Sequence, residues 1–486
     1  MFNAEMIVFA AYLLFMVGIG VYFFIRSKSE GDKGYFLGGR KMGPWVSALS
    51  AGASDMSAWV LMGLPASIYA AGIGQAWIAI GLGIGYAVSW LVEAPRLRRY
   101  SIAANDSITI PQYLTNRFLS KSNALQVICA VIFLVAYTIY AASSIKACGT
   151  LFNTVMDIPA ETAMYIAAAI IILYTFLGGF SAVCWTDFFQ GLLMLGALLI
   201  APIFALGIIQ SGEGAMTMGQ LPDNYWNLFT NWKDVLSGLG WGLGYFGMPH
   251  IIIRFMSLRS DKDLKKSAKI GITWTTLILI FSVAAGIIGH LLLGEISDSS
   301  VVFITMVRKM FPALLSGLLL SAILAAAMST ADSQLLASAS AFSVDVYKPL
   351  IRRNKASEKE MLWAGRIVVL AISIVAVLIA ANPNSGTIMS LVENAWGVFG
   401  AAFGPAIMLS LFWKRFNFQG AVAGILTGAV VDILWLVFLK DLGIYEIIPG
   451  FILSLIVAIV VTLATKAPEK EVTDIFEKVA SGKEIE

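Results

Sequence analysis

Apolar residues run along this chain in blocks of membrane-spanning length, not in the alternating or one-faced patterns of a soluble fold. The blocks fall at about 5–26, 44–72, 74–94, 124–149, 161–180, 186–210, 235–256, 268–294, 312–342, 361–382, 386–412, 418–439 and 446–465, separated by charged or Gly/Pro-containing breaks. A crossing helix takes ~20 mainly apolar residues. The pattern therefore predicts an all-α integral membrane protein with thirteen transmembrane helices, residues 1–465 forming one domain and 466–486 a short charged tail. The first block starts near Met6 with no basic stretch before it and with Arg26 and Lys28 after it, the reverse of a cleaved signal, so it reads as a retained span.

Two blocks differ from ordinary lipid-facing helices because they carry small and polar residues at mid-depth. They are Ser47-Ala-Leu-Ser-Ala-Gly-Ala-Ser-Asp-Met-Ser57 in the second span and Gly238-Leu-Gly-Trp-Gly-Leu-Gly-Tyr-Phe-Gly-Met-Pro249 in the seventh. Glycines of this density also serve tight helix packing. Their corresponding positions, five spans apart, point instead to two inverted repeats, spans 2–6 (about 44–210) and 7–11 (about 235–412). Interrupted spans in matching places of two such halves mark a binding site at mid-membrane, where the helices unwind.

Composition agrees and narrows the function classes. Of 486 residues, 58% are apolar and 13% charged, against ~25% charged in soluble proteins, which excludes disorder and a soluble domain. The net charge of +3 gives no footprint for nucleic acid. Of the 33 basic residues, 28 fall in alternate loops and the tail, and positive loops stay in the cytoplasm. With an odd number of spans this places the N-terminus outside and the C-terminus inside a multi-pass protein of the cell inner (plasma) membrane. Cys129, Cys148 and Cys184 lack metal-ligand spacing, and His250 and His290 lie far apart, so no metal centre or organic cofactor is expected. No Walker-type phosphate loop and no nucleophile-base-metal set is present, which leaves neither a nucleotide-driven pump nor an enzyme.

Candidate chemistry concentrates in the second, sixth, seventh and ninth spans. Asp55 sits mid-span, where a charged side chain costs at least ~2.5 kcal/mol unless it meets water, a cation or a donor; capping a broken helix is its other reading. In the ninth span Ser329, Thr330, Asp332 and Ser333 lie within about one turn. Hydroxyls and freed carbonyls suit a hard monovalent cation, sodium above all, because several neutral oxygens replace its hydration shell without holding it too tightly. Back-bonding of Ser and Thr to their own i−4 carbonyls is the alternative. Asp187 adds a carboxylate near the cytoplasmic end of the sixth span, while Glu393 and Asp432 are acidic residues with no assigned ligand. Trp59, Tyr140, Trp241 and Tyr245 lie in or near the interrupted spans, where rings can enclose a small apolar ring or an ammonium group.

The strings Ser50-Ala-Gly-Ala-Ser-Asp-Met-Ser57, Gly240-Trp-Gly-Leu-Gly-Tyr-Phe-Gly-Met-Pro-His250 and Leu324-Ala-Ala-Ala-Met-Ser-Thr330 resemble the sodium:solute symporter family. Phe36-Leu-Gly-Gly-Arg40, Leu61-Met-Gly-Leu-Pro65, Trp185-Thr-Asp187 and Tyr445-Glu-Ile-Ile-Pro-Gly450 are similar to signatures of its proline-carrying members. The resemblance covers essentially the whole chain. It implies a LeuT-like core and sodium-coupled symport of L-proline into the cytoplasm by alternating access, with Na+ as the coupling ion. It places sodium between the second and ninth spans, on the carbonyls of Ala53, Met56 and Ala326 and the hydroxyls of Ser329 and Thr330, with Asp55 essential nearby. L-Proline is then held against Ser57, Trp59, Tyr140, Trp241, Tyr245 and Pro249, its carboxylate on unwound backbone and its ring among the aromatics. Arg40 and Asp187 belong to the cytoplasmic path, and Asp332 with Ser333 and Asp187 forms a second cation or proton site. Met248 stands where the proline-carrying members are expected to have Gln, and Asp332 where several relatives carry Ser or Thr. Sodium- or proton-coupled uptake of another amino acid or compatible solute, and a transporter-like membrane sensor, are the competing expectations.

Overall fold

The computed structural model describes residues 4–26, 31–177, 179–483 and 485; Lys28, Gly178, Glu484 and Glu486, which fall in stretches read above, lie outside them. Among the described residues the chain is helical throughout, and its one β-like contact is an isolated bridge between Met42 and Leu258. In chain order the main helices are α1 (Ala4–Arg26), α2 (Pro44–Asp55), α3 (Gly63–Ala71), α4 (Ala76–Val88), α5 (Ala94–Ala103), α6 (Ala124–Met156), α7 (Ala160–Leu177), α8 (Phe180–Ile208), α9 (Trp232–Gly240) and α10 (Pro249–Ser257). They continue as α11 (Asp261–Leu293), α12 (Ala313–Ser340), α13 (Glu358–Ala381), α14 (Ile388–Phe412), α15 (Phe418–Phe438), α16 (Ile447–Ala464) and α17 (Lys470–Ala480).

Among the described residues, ten helical stretches are long and apolar enough to cross a membrane, α4 and α5 counting as one continuous stretch from Ile73 to Ala103. The thirteen crossings expected from the sequence are reached only by adding α7 and the two interrupted pairs, α2 with α3 and α9 with α10. Large apolar side chains such as Leu14, Leu173, Phe204, Leu378 and Phe438 are exposed, as a surface solvated by acyl chains requires. The protein is thus a multi-pass membrane protein.

α12 is the opposite case. From Ser316 to Ser340 nearly every side chain is buried, because a helix of Ala, Ser and Leu presents small residues on all faces and lets neighbours approach closely. α2, α8 and α6 pack around it, and α11 closes over α2 and α8. On the far side α14, α15 and α16 form a tight trio against the turn that joins α9 to α10.

The two interrupted spans run in opposite directions. The start of α2 meets the end of α10: Met42 N–H donates to Ser257 O at 3.2 Å, and Ser47 Oγ to Arg254 O at 3.2 Å. α2 rises from the side that carries most of the basic loops and α10 returns to it.

Candidate functional site

α2 begins with Pro44 in its first turn, where the missing N–H costs nothing, and stops at Asp55. Past that point Met56 leaves helical geometry and Ser57 is extended (φ −62°, ψ −172°). Ser57 N–H donates to Asp55 O at 2.9 Å rather than to Ala53 O four residues back. The break therefore frees the Ala53 carbonyl in the protein interior, where an unpaired backbone oxygen is costly. α12 supplies its partners: Ser329 Oγ lies 2.8 Å and Thr330 Oγ1 3.5 Å from Ala53 O, and Ser329 Oγ also lies 3.1 Å from Ala326 O. Four oxygens from two helices converge on one spot, all from residues with no exposed surface. Of the five residues expected to hold sodium, the structure brings Ala53, Ala326, Ser329 and Thr330 together, with Met56 buried at the end of the same break.

Asp55, two residues past Ala53, is held by the other broken span. Its Oδ2 accepts from Tyr245 Oη at 2.6 Å, and its carbonyl lies 3.4 Å from Tyr140 Oη. The carboxylate of one broken span is thereby fastened to the turn of the other. That turn, Trp241–Phe246, is a tightened helix that ends in extended Met248 before Pro249 starts α10. It packs closely enough that a Cβ on Gly244 would lie 2.0 Å from Trp396 Nε1, so only glycine fits. Trp396 Nε1–H donates to Trp241 O at 2.8 Å. Trp59 and Trp241 face each other at 6.3 Å between ring centroids, and Tyr245 meets Trp396 at 5.1 Å. Ser57, Trp59, Tyr140, Trp241, Tyr245 and Pro249 are all buried around these breaks. A cavity of about 520 Å³, lined by Met62, Gly63, Lys146, Asp298, Thr387 and Met389, opens just beyond them on the side away from the basic loops.

Two binding partners went unseen in the sequence. His250 Nε2 lies 3.1 Å from Ser54 O, a second carbonyl at the α2 break, and Tyr137 Oη lies 3.1 Å from His250 Nδ1. Arg254, one turn along α10, reaches Asp187 Oδ2 at 3.2 Å, Ser333 Oγ at 2.6 Å and Ser50 Oγ at 3.1 Å, and also donates to His250 O. Ser50 Oγ donates to the same Asp187 oxygen at 2.6 Å. Asp187 and Ser333 do come together, as expected for a second cation site, but the positive charge between them is the chain's own guanidinium. Asp332 is buried on the same helix. A signal was available: His250 and Arg254 are four apart just after a helix-starting proline, hence on one face.

Arg40 lies elsewhere, at the basic side. It pairs with Asp106 at 2.9 Å and donates to Ser101 Oγ at 3.0 Å, Ser107 O at 2.8 Å and Met256 O at 2.6 Å. It ties the entry of α2 to α5 and to the end of α10.

Two broken helices of opposite direction, a freed carbonyl facing hydroxyls and aromatic rings gathered around both breaks fit the scaffold of a secondary transporter. The same fold is found in a Na+-coupled sialic acid symporter solved in a substrate-bound outward-open state, with a TM-score of 0.76 at 20% identity over 96% of this chain and 99% of that one. The model of the sodium:solute symporter family matches residues 35–428, and the chain belongs to that family: it is a transporter, not an enzyme. Two relatives from Bacillus subtilis (strain 168) align along nearly its whole length. The osmoregulated proline transporter OpuE is 44% identical over 94% of each chain. The high-affinity proline transporter PutP is 43% identical over 95% of this chain and 98% of its own.

Proposed function

We propose that this chain couples sodium entry to uptake of L-proline into the cytoplasm across the plasma membrane, with the N-terminus outside, the C-terminus inside and thirteen crossings arranged as two inverted repeats, about 44–210 and 235–412. The observation that carries it is the Ala53 carbonyl, freed by the α2 break and met by Ser329 and Thr330. Neutral oxygens from two helices make a site a sodium ion can both enter and leave. The opposite directions of α2 and α10 support the inverted repeats, and the proline named for the relatives supports the substrate.

Coupling follows from geometry. Sodium on those oxygens holds α12 against the α2 break, which sets Ser57 and Trp59 opposite Trp241 and Tyr245. Its affinity differs between outward and inward states, and that difference moves the equilibrium. Each charge crossing with the field adds ~2.3 kcal/mol per 100 mV. Asp55 acts through Tyr245, holding the two breaks together from outside the ion's own ligands. Arg40 must release Asp106 and Met256 for the cytoplasmic path to open.

One observation favours a second reading, uptake of a different small solute. Met248, fully buried at the end of the α9–α10 turn, offers an apolar wall where a polar contact to substrate was expected. Uptake of radiolabelled L-proline into proteoliposomes under a sodium gradient, a proton gradient or neither decides between them. Sodium-driven accumulation, lost in Asp55→Asn and in Ser329→Ala/Thr330→Ala, is the expected result. No accumulation under any gradient by folded protein removes the proline assignment, and competition among other solutes then names the substrate.

A further inference from the structure

A second set of buried oxygens lies in the α14–α15–α16 trio, away from α2 and α12. Asp432 on α15 has no exposed surface, and among the described residues neither of its carboxylate oxygens has a hydrogen-bond partner. Glu446, at the start of α16, is 4% exposed and its Oε1 is likewise unpartnered. Both press into a notch left by Gly397 of α14: a Cβ there would lie 2.8 Å from Asp432 Oδ1 and 3.2 Å from Glu446 Cγ. Two carboxylates at one point in a bilayer, with three of their four oxygens lacking a hydrogen-bond partner, lose hydration and repel each other.

The surroundings do not cancel that charge. Glu393, on the same face of α14 one turn before Gly397, is a third acid. Tyr445 offers a hydroxyl, but it donates to Glu393 O at 2.8 Å. Lys440, exposed in the connecting loop, makes no ion pair with these acids among the described residues; its charge reaches Glu446 and Glu393 through space but not Asp432. The N-terminus of α16 contributes only ~+0.5 of a charge. No group of three or more His, Cys, Asp or Glu able to hold a metal ion exists among the described residues, which disfavours a multivalent metal. One positive charge is what the pair lacks.

We propose that Asp432 and Glu446 form a monovalent-cation site, taking a proton or a sodium ion, separate from the oxygens of α2 and α12. The site adjoins the transport pathway through the next residue along the chain. Tyr445 N–H donates to Ser237 Oγ of α9 at 3.1 Å, and its ring lies 5.1 Å from that of Trp241. Binding or release at the pair thus acts on the segment that braces the second broken span.

The test uses purified full-length protein without any transported solute, so its failure leaves the sodium–proline reading intact. Infrared spectra at neutral pH read protonated carboxyl groups, and equilibrium dialysis with radioactive sodium counts bound ions, in the wild type, Asp432→Asn and Glu446→Gln. The two near-isosteric variants guard against misfolding of either one. A protonated-carboxyl band in the wild type that is lost in Asp432→Asn identifies the cation as a proton. A sodium count that falls by one in the variants identifies it as sodium. Spectra and sodium counts that match the wild type in both variants overturn the proposal.

Discussion

Arg254 and Asp187 are 2% and 0% exposed and meet at 3.2 Å, so each has exchanged its hydration for the other. Replacing Arg254 by Ala removes the guanidinium bonds to Asp187, Ser333 and Ser50, and the contact of its Cζ at 5.2 Å with the Phe180 ring. Asp187 then keeps only the hydroxyls of Ser50 and Ser333, with no charge to answer its own. Stranding one charge of a buried pair costs ~3–5 kcal/mol. Asp187→Asn leaves the guanidinium with Ser333, Ser50 and a backbone carbonyl, and should cost less, ~2 kcal/mol by the scale for a lost charged hydrogen bond. With both replaced no buried charge is stranded, so the double variant should be more stable than Arg254→Ala alone, which requires a coupling of ~2–3 kcal/mol, the upper end for residues in contact. Thermal unfolding of the four detergent-purified proteins reads the cycle. Losses that add to within ~0.5 kcal/mol would show that the pair does not act as a unit, and the assignment of Arg254 as the built-in cation at this place would fall.

Other substitutions probe the neighbouring contacts. Tyr245→Phe deletes the 2.6 Å bond to Asp55 and should weaken sodium activation of uptake ~10-fold or more, from the ~1.5–3 kcal/mol of a hydrogen bond to a charged group; an unchanged half-saturating sodium concentration contradicts the role given to Asp55. Gly244→Ala drives a methyl into the Trp396 indole and should lower stability by ~1–3 kcal/mol, seen as a fall in thermal midpoint. Lys414 pairs with Glu477 of α17 and holds its carboxyl below the usual range. A depressed acid stabilises above its unfolded pKa and loses that contribution as pH falls through the folded value, so a spin label on Ser481 should gain mobility on acidification in the wild type. Lys414→Ala should already show that mobility at neutral pH.

How far the sequence reaches depends on the range of the interaction. Apolar runs set where helices lie, because each span must satisfy its own backbone in lipid, and the interrupted stretches were visible in outline, as small and polar residues over Ser47–Ser57 and as glycines and a proline over Gly238–Pro249, although the first break itself begins only at Met56. The oxygens of Ser329 and Thr330 were legible as a cluster. That they answer the Ala53 carbonyl was expected from family resemblance, and the cause shows only in the fold, where Ser57 N–H turns back to Asp55. Charge partners were not legible. Arg254 belongs by spacing to a basic loop, yet it sits one turn inside α10 and neutralises a residue 67 positions away. Asp187 and Ser333 therefore looked like an open cation site. Asp432 and Glu446 are 14 positions apart across a helix reversal, and only the notch at Gly397 brings them to one point.

The central claim is that sodium between α2 and α12 completes the proline pocket at the two breaks. It is tested most directly by titrating purified protein with L-proline at several sodium concentrations, and with sodium at several proline concentrations, in the wild type and in Ser329→Ala/Thr330→Ala. Linkage requires each ligand to tighten the other by the same factor, typically ~5–150-fold, and the account predicts that reciprocal gain in the wild type and its loss in the double variant. Proline binding of equal strength with and without sodium, or a gain that survives removal of both hydroxyls, would contradict it.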